Sequence, residues 1–124
     1  MTDNKSKYIF VVDDEKIIAQ TVAAILRQVG FRTAAFENAQ EAIDAASVEA
    51  PDLMITDVVM PGLSGIELAI LFQSRWPQCK TLLFSGQAIT ADLLEDARKS
   101  GHQFDVLSKP IHPSDLLAKL NELA

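Results

Sequence analysis

Cysteine is almost absent from this chain. Cys79 stands alone among 124 residues, which excludes an intrachain disulfide and a cysteine zinc cluster. A lone thiol also fits a reducing compartment. Positive charge is short as well: 11 Lys and Arg face 17 Asp and Glu, for a formal net charge of -6. Phosphate-backbone contacts need Lys and Arg, so a general nucleic-acid binder is disfavoured. No apolar run reaches the length of a membrane span, and the opening MTDNKSKYIF lacks the form of a signal peptide. Linkers, repeats and low-complexity tracts are missing too. The expectation is one soluble, cytoplasmic domain over residues 8–124 behind a polar tail of residues 1–7. A chain of this length, 48% hydrophobic, can build one substantial core.

What is present alternates. Short apolar runs at Tyr8 to Val12, Arg32 to Phe36, Leu53 to Thr56, Thr81 to Phe84 and Phe104 to Leu107 read as five strands. Between them lie segments of helical period. Ile18, Val22, Ile25, Leu26 and Val29 form the first, with Gly30 placed as its C′ residue. Asn38 caps a second through Ala42, Ile43 and Ala46, and a third carries Ile66, Ala69, Ile70 and Phe72 until Pro77. Thr90 can cap a fourth from Ala91 to Ser100, ending at Gly101. Pro113 opens the last, with Leu116, Leu117, Leu120 and Leu123. Strands alternating with helices imply an α/β fold with a parallel sheet covered on both faces. The nearly continuous apolarity of YIFVV, LMIT and TLLF agrees.

In such sheets ligands bind beyond the carboxyl ends of the strands. The first strand delivers Asp13 and Asp14 there, the third Asp57, the fourth Ser85 and the fifth Lys109. If these strands are neighbours, three carboxylates, a hydroxyl and an ammonium converge. Carboxylates so placed repel one another and call for a cation. Oxygen donors without His or Cys point to a hard ion, and Mg2+ suits a few carboxylates plus water. An Asp carboxylate beside such a metal can attack phosphorus. Lys109 offers a point charge and Ser85 a donor to the same oxygens.

The Asp13-Asp14 pair, ITDVVMPGLSG around Asp57, LLFSG around Ser85 and the SKP of Ser108-Lys109-Pro110 resemble the receiver domain of two-component response regulators. The likeness runs from about Tyr8 to Leu123. It implies a flavodoxin-like, doubly wound, CheY-like (βα)5 fold with strand order 2-1-3-4-5. It further implies a phosphoprotein of the phosphorelay type, in which Asp57 becomes an aspartyl phosphate. Asp14, Asp57 and the Val59 backbone carbonyl would hold Mg2+, with Asp13 acting through a metal-bound water, and Ser85 and Lys109 would meet the phosphoryl group. Gly86 would leave room for the donor. The implied partners are a histidine kinase or histidine phosphotransfer protein, and a downstream protein on the face of the fourth helix, fifth strand and fifth helix. Homodimerisation is compatible with this. Neither direct nucleic-acid binding nor a DNA-binding output is implied for these residues, and no enzymatic turnover beyond self-phosphorylation and slow dephosphorylation.

Blander readings exist for each residue. Asp13 and Asp14 can cap the following helix, Ser85-Gly86 can form a turn, and most lysines are solvated. Their joint order along the chain favours function. His102 and His112 have no acidic partner in sequence and read as surface or capping residues. Cys79 reads as partly buried, and Trp76 and the leucines of the last helix as core. One departure from the family stands out: Val106 occupies the usual aromatic position three residues before Lys109, with Phe104 two residues earlier. A magnesium-dependent phosphatase of the haloacid-dehalogenase type is a rival, but needs an acid where Val59 stands. A phosphate-independent interaction module is another, disfavoured by the complete set of five residues.

Overall fold

The computed structural model describes residues 7–85, 95, 98, 99, 101, 104–108 and 112–123. In chain order they form β1 (Tyr8–Val12), α1 (Lys16–Gln28), β2 (Arg32–Phe36), α2 (Ala39–Val48), β3 (Leu53–Asp57), α3 (Gly65–Arg75), β4 (Lys80–Ser85), β5 (Asp105–Ser108) and a C-terminal helix (Pro113–Leu123). The strands make one parallel sheet in the order β2-β1-β3-β4-β5. This is the expected flavodoxin-like arrangement. Of the expected fourth helix, Glu95, Arg98 and Lys99 are helical and Gly101 follows with a φ of 91°; the Thr90 cap lies outside the described residues.

Two boundaries differ from expectation in a way that matters. β3 runs through Asp57 and β4 through Ser85, because ladder pairing continues past the last apolar residue of each. β5 starts one residue later than its apolar run, at Asp105.

Strand alternation sorts the core into two layers. On one face Ile9, Val11, Leu53, Ile55, Leu82 and Phe84 pack against α1 and the C-terminal helix, through Val22, Leu26, Leu116 and Leu120. On the other, Phe10, Val12 and Met54 meet Ala42 and Ala46 of α2 and Leu68 and Phe72 of α3. Trp76, expected in the core, is half-buried and packs against this layer with its ring 4.7 Å from Phe72.

Helix ends follow local chemistry. Gly30, at φ 102°, lets Gly30 N–H reach the Arg27 carbonyl and Phe31 N–H reach that of Leu26, closing α1 in a Schellman motif. Asn38 accepts from Glu41 N–H at 2.9 Å and so caps α2. Ser64 and Glu67 form a reciprocal capping box at the start of α3. Its signature is Ser-x-x-Glu, which hydrophobic periodicity alone does not reveal.

Cys79 is buried rather than half-buried, with 5% of its surface exposed. Burial, helped by the nearby Asp52 charge, pushes its thiol up to about 12. An unfolded thiol titrates near 8.5, so the unfolded chain loses this proton first and folding stability is intact only below that pH. Stability should fall above about pH 8.5 by up to about 1.4 kcal/mol per pH unit, until the folded thiol also ionises. Urea midpoints of wild type and Cys79→Ala between neutral and alkaline pH check this, since the variant lacks that slope.

Candidate phosphoacceptor and metal site

The register of β1 and β3 builds the site. Val12 lies opposite Thr56, so Asp13 and Asp57 are the next pair along the two strands. Both share the side-chain parity of Val11 and Ile55 and therefore the same face. Asp14 follows at the edge. Carboxylate oxygens of Asp13, Asp14 and Asp57 all lie within 4.8 Å of one another. Asp13 and Asp57 are buried, at 1% and 7% exposure, while Asp14 is exposed.

Two of these carboxylates therefore sit at the bottom of a shallow acidic notch with the third at its lip. Ionised carboxylates this close repel one another. Part of that is offset locally: Asp13 Oδ1 accepts from Glu15 N–H at 2.9 Å. The same bond turns the chain into α1 and fixes Asp13 in place. The donor set is all oxygen, as a hard divalent cation prefers.

The backbone carbonyls of the β3–α3 loop are unequally used. Val58 N–H bonds to the Phe84 carbonyl at 3.1 Å, and Gly65 N–H to the Val58 carbonyl at 2.9 Å. The Asp57 carbonyl accepts the Thr56 hydroxyl at 3.0 Å. Among the described residues nothing donates to the Val59 carbonyl. The loop thus uses the two carbonyls before Val59 internally and, among the described residues, not the Val59 carbonyl. Val59 itself is 44% exposed.

Gly65 was not singled out from sequence, yet it holds this loop. A Cβ at Gly65 would overlap the Asp57 carbonyl oxygen and come within 2.8 Å of its carbon. Only glycine lets the start of α3 press against the strand end that carries Asp57. The Ser-Gly pair at the head of an apolar helix was the available signal. Gly62, at φ 77° with open space around it, serves the turn alone.

Ser85 ends β4, one residue past Phe84, the partner of Asp57, and is half-buried. It pairs with Ser108 across β5. The structure thus brings Asp13, Asp14 and Asp57 together and sets Ser85 on the same edge one strand over. Lys109, Gly86 and His102 lie outside the described residues. Phe104 and Val106 pack, partly buried, against Val58, Ile66, Ala69 and Leu83, a small cluster that includes the residue after Asp57. His112 is exposed, and its carbonyl accepts from Leu116 N–H at 3.0 Å as the last helix begins.

Known proteins share this architecture. The response regulator receiver domain family matches residues 9–121. The chain is 30% identical over 115 residues to the transcriptional regulatory protein CreB of Escherichia coli, covering 93% of this chain and 49% of CreB. It is 32% identical over 114 residues to the phosphoglycerate transport system transcriptional regulatory protein PgtA of Salmonella typhimurium, covering 92% of this chain and 27% of PgtA. The chain therefore spans half or less of the length of these relatives. Among solved structures, the BeF3-activated DrrB receiver domain superposes with a TM-score of 0.80 at 26% identity, covering 94% of this chain and 96% of that one. Chemotaxis protein CheY4 of Vibrio cholerae superposes at 0.82 with 26% identity, covering 95% and 98%. Sheet order, acidic notch and family match agree: the chain belongs to the response regulator receiver domains, CheY-like modules of two-component signalling that are phosphorylated on an aspartate.

Proposed function

We propose that Asp57 is the phosphoacceptor of this receiver domain, taking a phosphoryl group from a phosphohistidine on a histidine kinase or phosphotransfer protein. The observation that carries this is the convergence of Asp13, Asp14 and Asp57 within 4.8 Å, with Asp57 at the end of a fully buried strand. The donor set fits Mg2+, held by Asp14, Asp57 and the Val59 carbonyl, with Asp13 reached through water. When bound, Mg2+ neutralises charge on the arriving phosphoryl oxygens. An Asp57 oxygen attacks phosphorus, and the donor imidazole leaves. The β3 ladder and the Thr56 and Gly65 contacts hold Asp57 in place for that attack. Ser85 donates to a phosphoryl oxygen, and Lys109 supplies the ammonium that pairs with it. That DrrB was solved in a BeF3-activated form supports reading the matching edge here as a phosphoryl site.

The phosphoryl group brings roughly two negative charges to the sheet edge. Drawing Ser85 and Lys109 toward it biases the surface around β5 and the C-terminal helix, which a downstream protein reads. Residues 8–124 act as this one module behind the tail of residues 1–7, working in the cytoplasm, and make no direct nucleic-acid contact. It is a switch rather than a turnover enzyme. Val59 supports that choice, since no acid stands two residues after Asp57 to release product.

Incubation with acetyl phosphate and Mg2+, followed by intact mass spectrometry, tests the reading. A single phosphate adduct that forms only with Mg2+ and is removed by hydroxylamine is expected. No adduct, or repeated release of phosphate from a generic ester, would overturn it. Val59, apolar and exposed, offers no group to steer a water onto the acyl phosphate. The adduct should therefore persist for minutes or longer by phosphate release, and decay within seconds would contradict the role given to Val59.

A further inference from the structure

At the opposite, amino edge of the sheet lies a cavity of about 320 Å³. Its lining follows from register. Ile9 pairs with Leu53 and Leu53 with Lys80, so the three side chains share one face. Lys7, two residues before Ile9, falls on that face too. The end of the C-terminal helix covers it with Leu120 and Leu123, and Phe31 closes one wall. Ile9, Phe31, Leu53 and Leu120 lie behind it, nearly fully buried, so Leu123 and the lysine stems carry most of the apolar surface open to a ligand. The rim carries two lysines, Lys7 and Lys80, together with Asp52 and Gln78.

The rim charges are unequal in their commitments. Asp52 Oδ2 accepts from Tyr8 N–H at 2.8 Å. Its backbone is also tied, N–H to the Tyr8 carbonyl at 2.8 Å and carbonyl from Lys80 N–H at 3.0 Å. Neither lysine ammonium has an ion pair or hydrogen bond among the described residues. Two uncommitted ammonium groups on one rim stand out in a chain of net charge -6. The cavity's volume falls at the small end of the range for small-molecule sites.

We propose that this cavity binds a small organic anion, its carboxylate or phosphate between Lys7 and Lys80 and its apolar body against Leu123 and the lysine stems. The site lies at the other end of β3 from Asp57, and its lining shares no residue with the phosphoacceptor edge. Its failure would leave the phosphoacceptor assignment untouched.

Amide NMR titration of the intact chain tests it, with 3-phenylpropionate as probe. Saturable shifts are expected at Ile9, Phe31, Leu53, Lys80 and Leu120. Uncharged 3-phenylpropanamide and inorganic phosphate should each bind at least about tenfold more weakly. The Lys7→Gln/Lys80→Gln double variant should lose at least about fivefold in affinity, and Leu123→Trp, which fills the cavity and keeps both charges, should block binding. Shifts that do not saturate by about 10 mM would overturn the proposal. Equal affinity for the acid and the amide, or for phosphate alone, would also do so. A double variant with lowered melting temperature but unchanged affinity would assign the lysines to the helix end instead.

Discussion

Asp57→Asn is expected to take up no phosphoryl group under conditions that phosphorylate the wild type to completion. An amide keeps the shape and burial of the carboxylate but lacks the anionic oxygen that attacks phosphorus. Urea unfolding of the variant in metal-free buffer accompanies the test, so that lost phosphorylation is separated from a folding defect at this buried position. Asp13→Asn and Asp14→Asn differ in kind. Each leaves the Asp57 nucleophile in place, and each should slow adduct formation and raise its Mg2+ requirement without abolishing it. Intact mass spectrometry of the three variants separates nucleophile from metal partners. An adduct of unchanged yield on Asp57→Asn would transfer the acceptor role elsewhere.

Gly65→Ala should cost about 3 kcal/mol of folding stability, the upper end of what overpacking usually does. The new methyl would meet the Asp57 backbone carbonyl, which the β3 ladder and the Thr56 hydroxyl hold in place. Relief requires α3 to back away from the strand end, which moves Val58 and the Val59 carbonyl. Mg2+ affinity should therefore fall together with stability. Gly62→Ala provides the contrast. It has a positive φ but open space, so only the backbone penalty of about 1–2 kcal/mol applies, with little effect on metal affinity. Urea unfolding of both variants checks the order, and equal losses would remove the close-approach argument.

Periodicity and strand-end chemistry made much of this legible. The apolar runs located all five strands, and Gly30, Asn38 and Pro113 marked their helix termini for reasons of φ, capping and ring geometry. The acidic residues after β1 and β3 could be named because they follow the carboxyl ends of the strands, where ligands bind in such sheets. Register was beyond reach. Nothing in YIFVV or LMIT states that Val12 lies opposite Thr56, and that pairing, not the spacing along the chain, brings Asp13 beside Asp57. Gly65 escaped notice because its role depends on a backbone carbonyl eight residues away. Cys79 was underestimated because Pro77 and Lys80 beside it look like a surface turn, whereas the side chain points into the layer with Phe72 and Met54.

Calorimetric titration with Mg2+ probes the acidic notch most directly. Wild type should bind one ion, and Asp14→Asn and Asp57→Asn should each weaken binding by at least about tenfold, as loss of a coordinating carboxylate implies. An absence of Mg2+ binding to wild type, or affinities unaltered by both substitutions, would contradict a metal site built from these carboxylates.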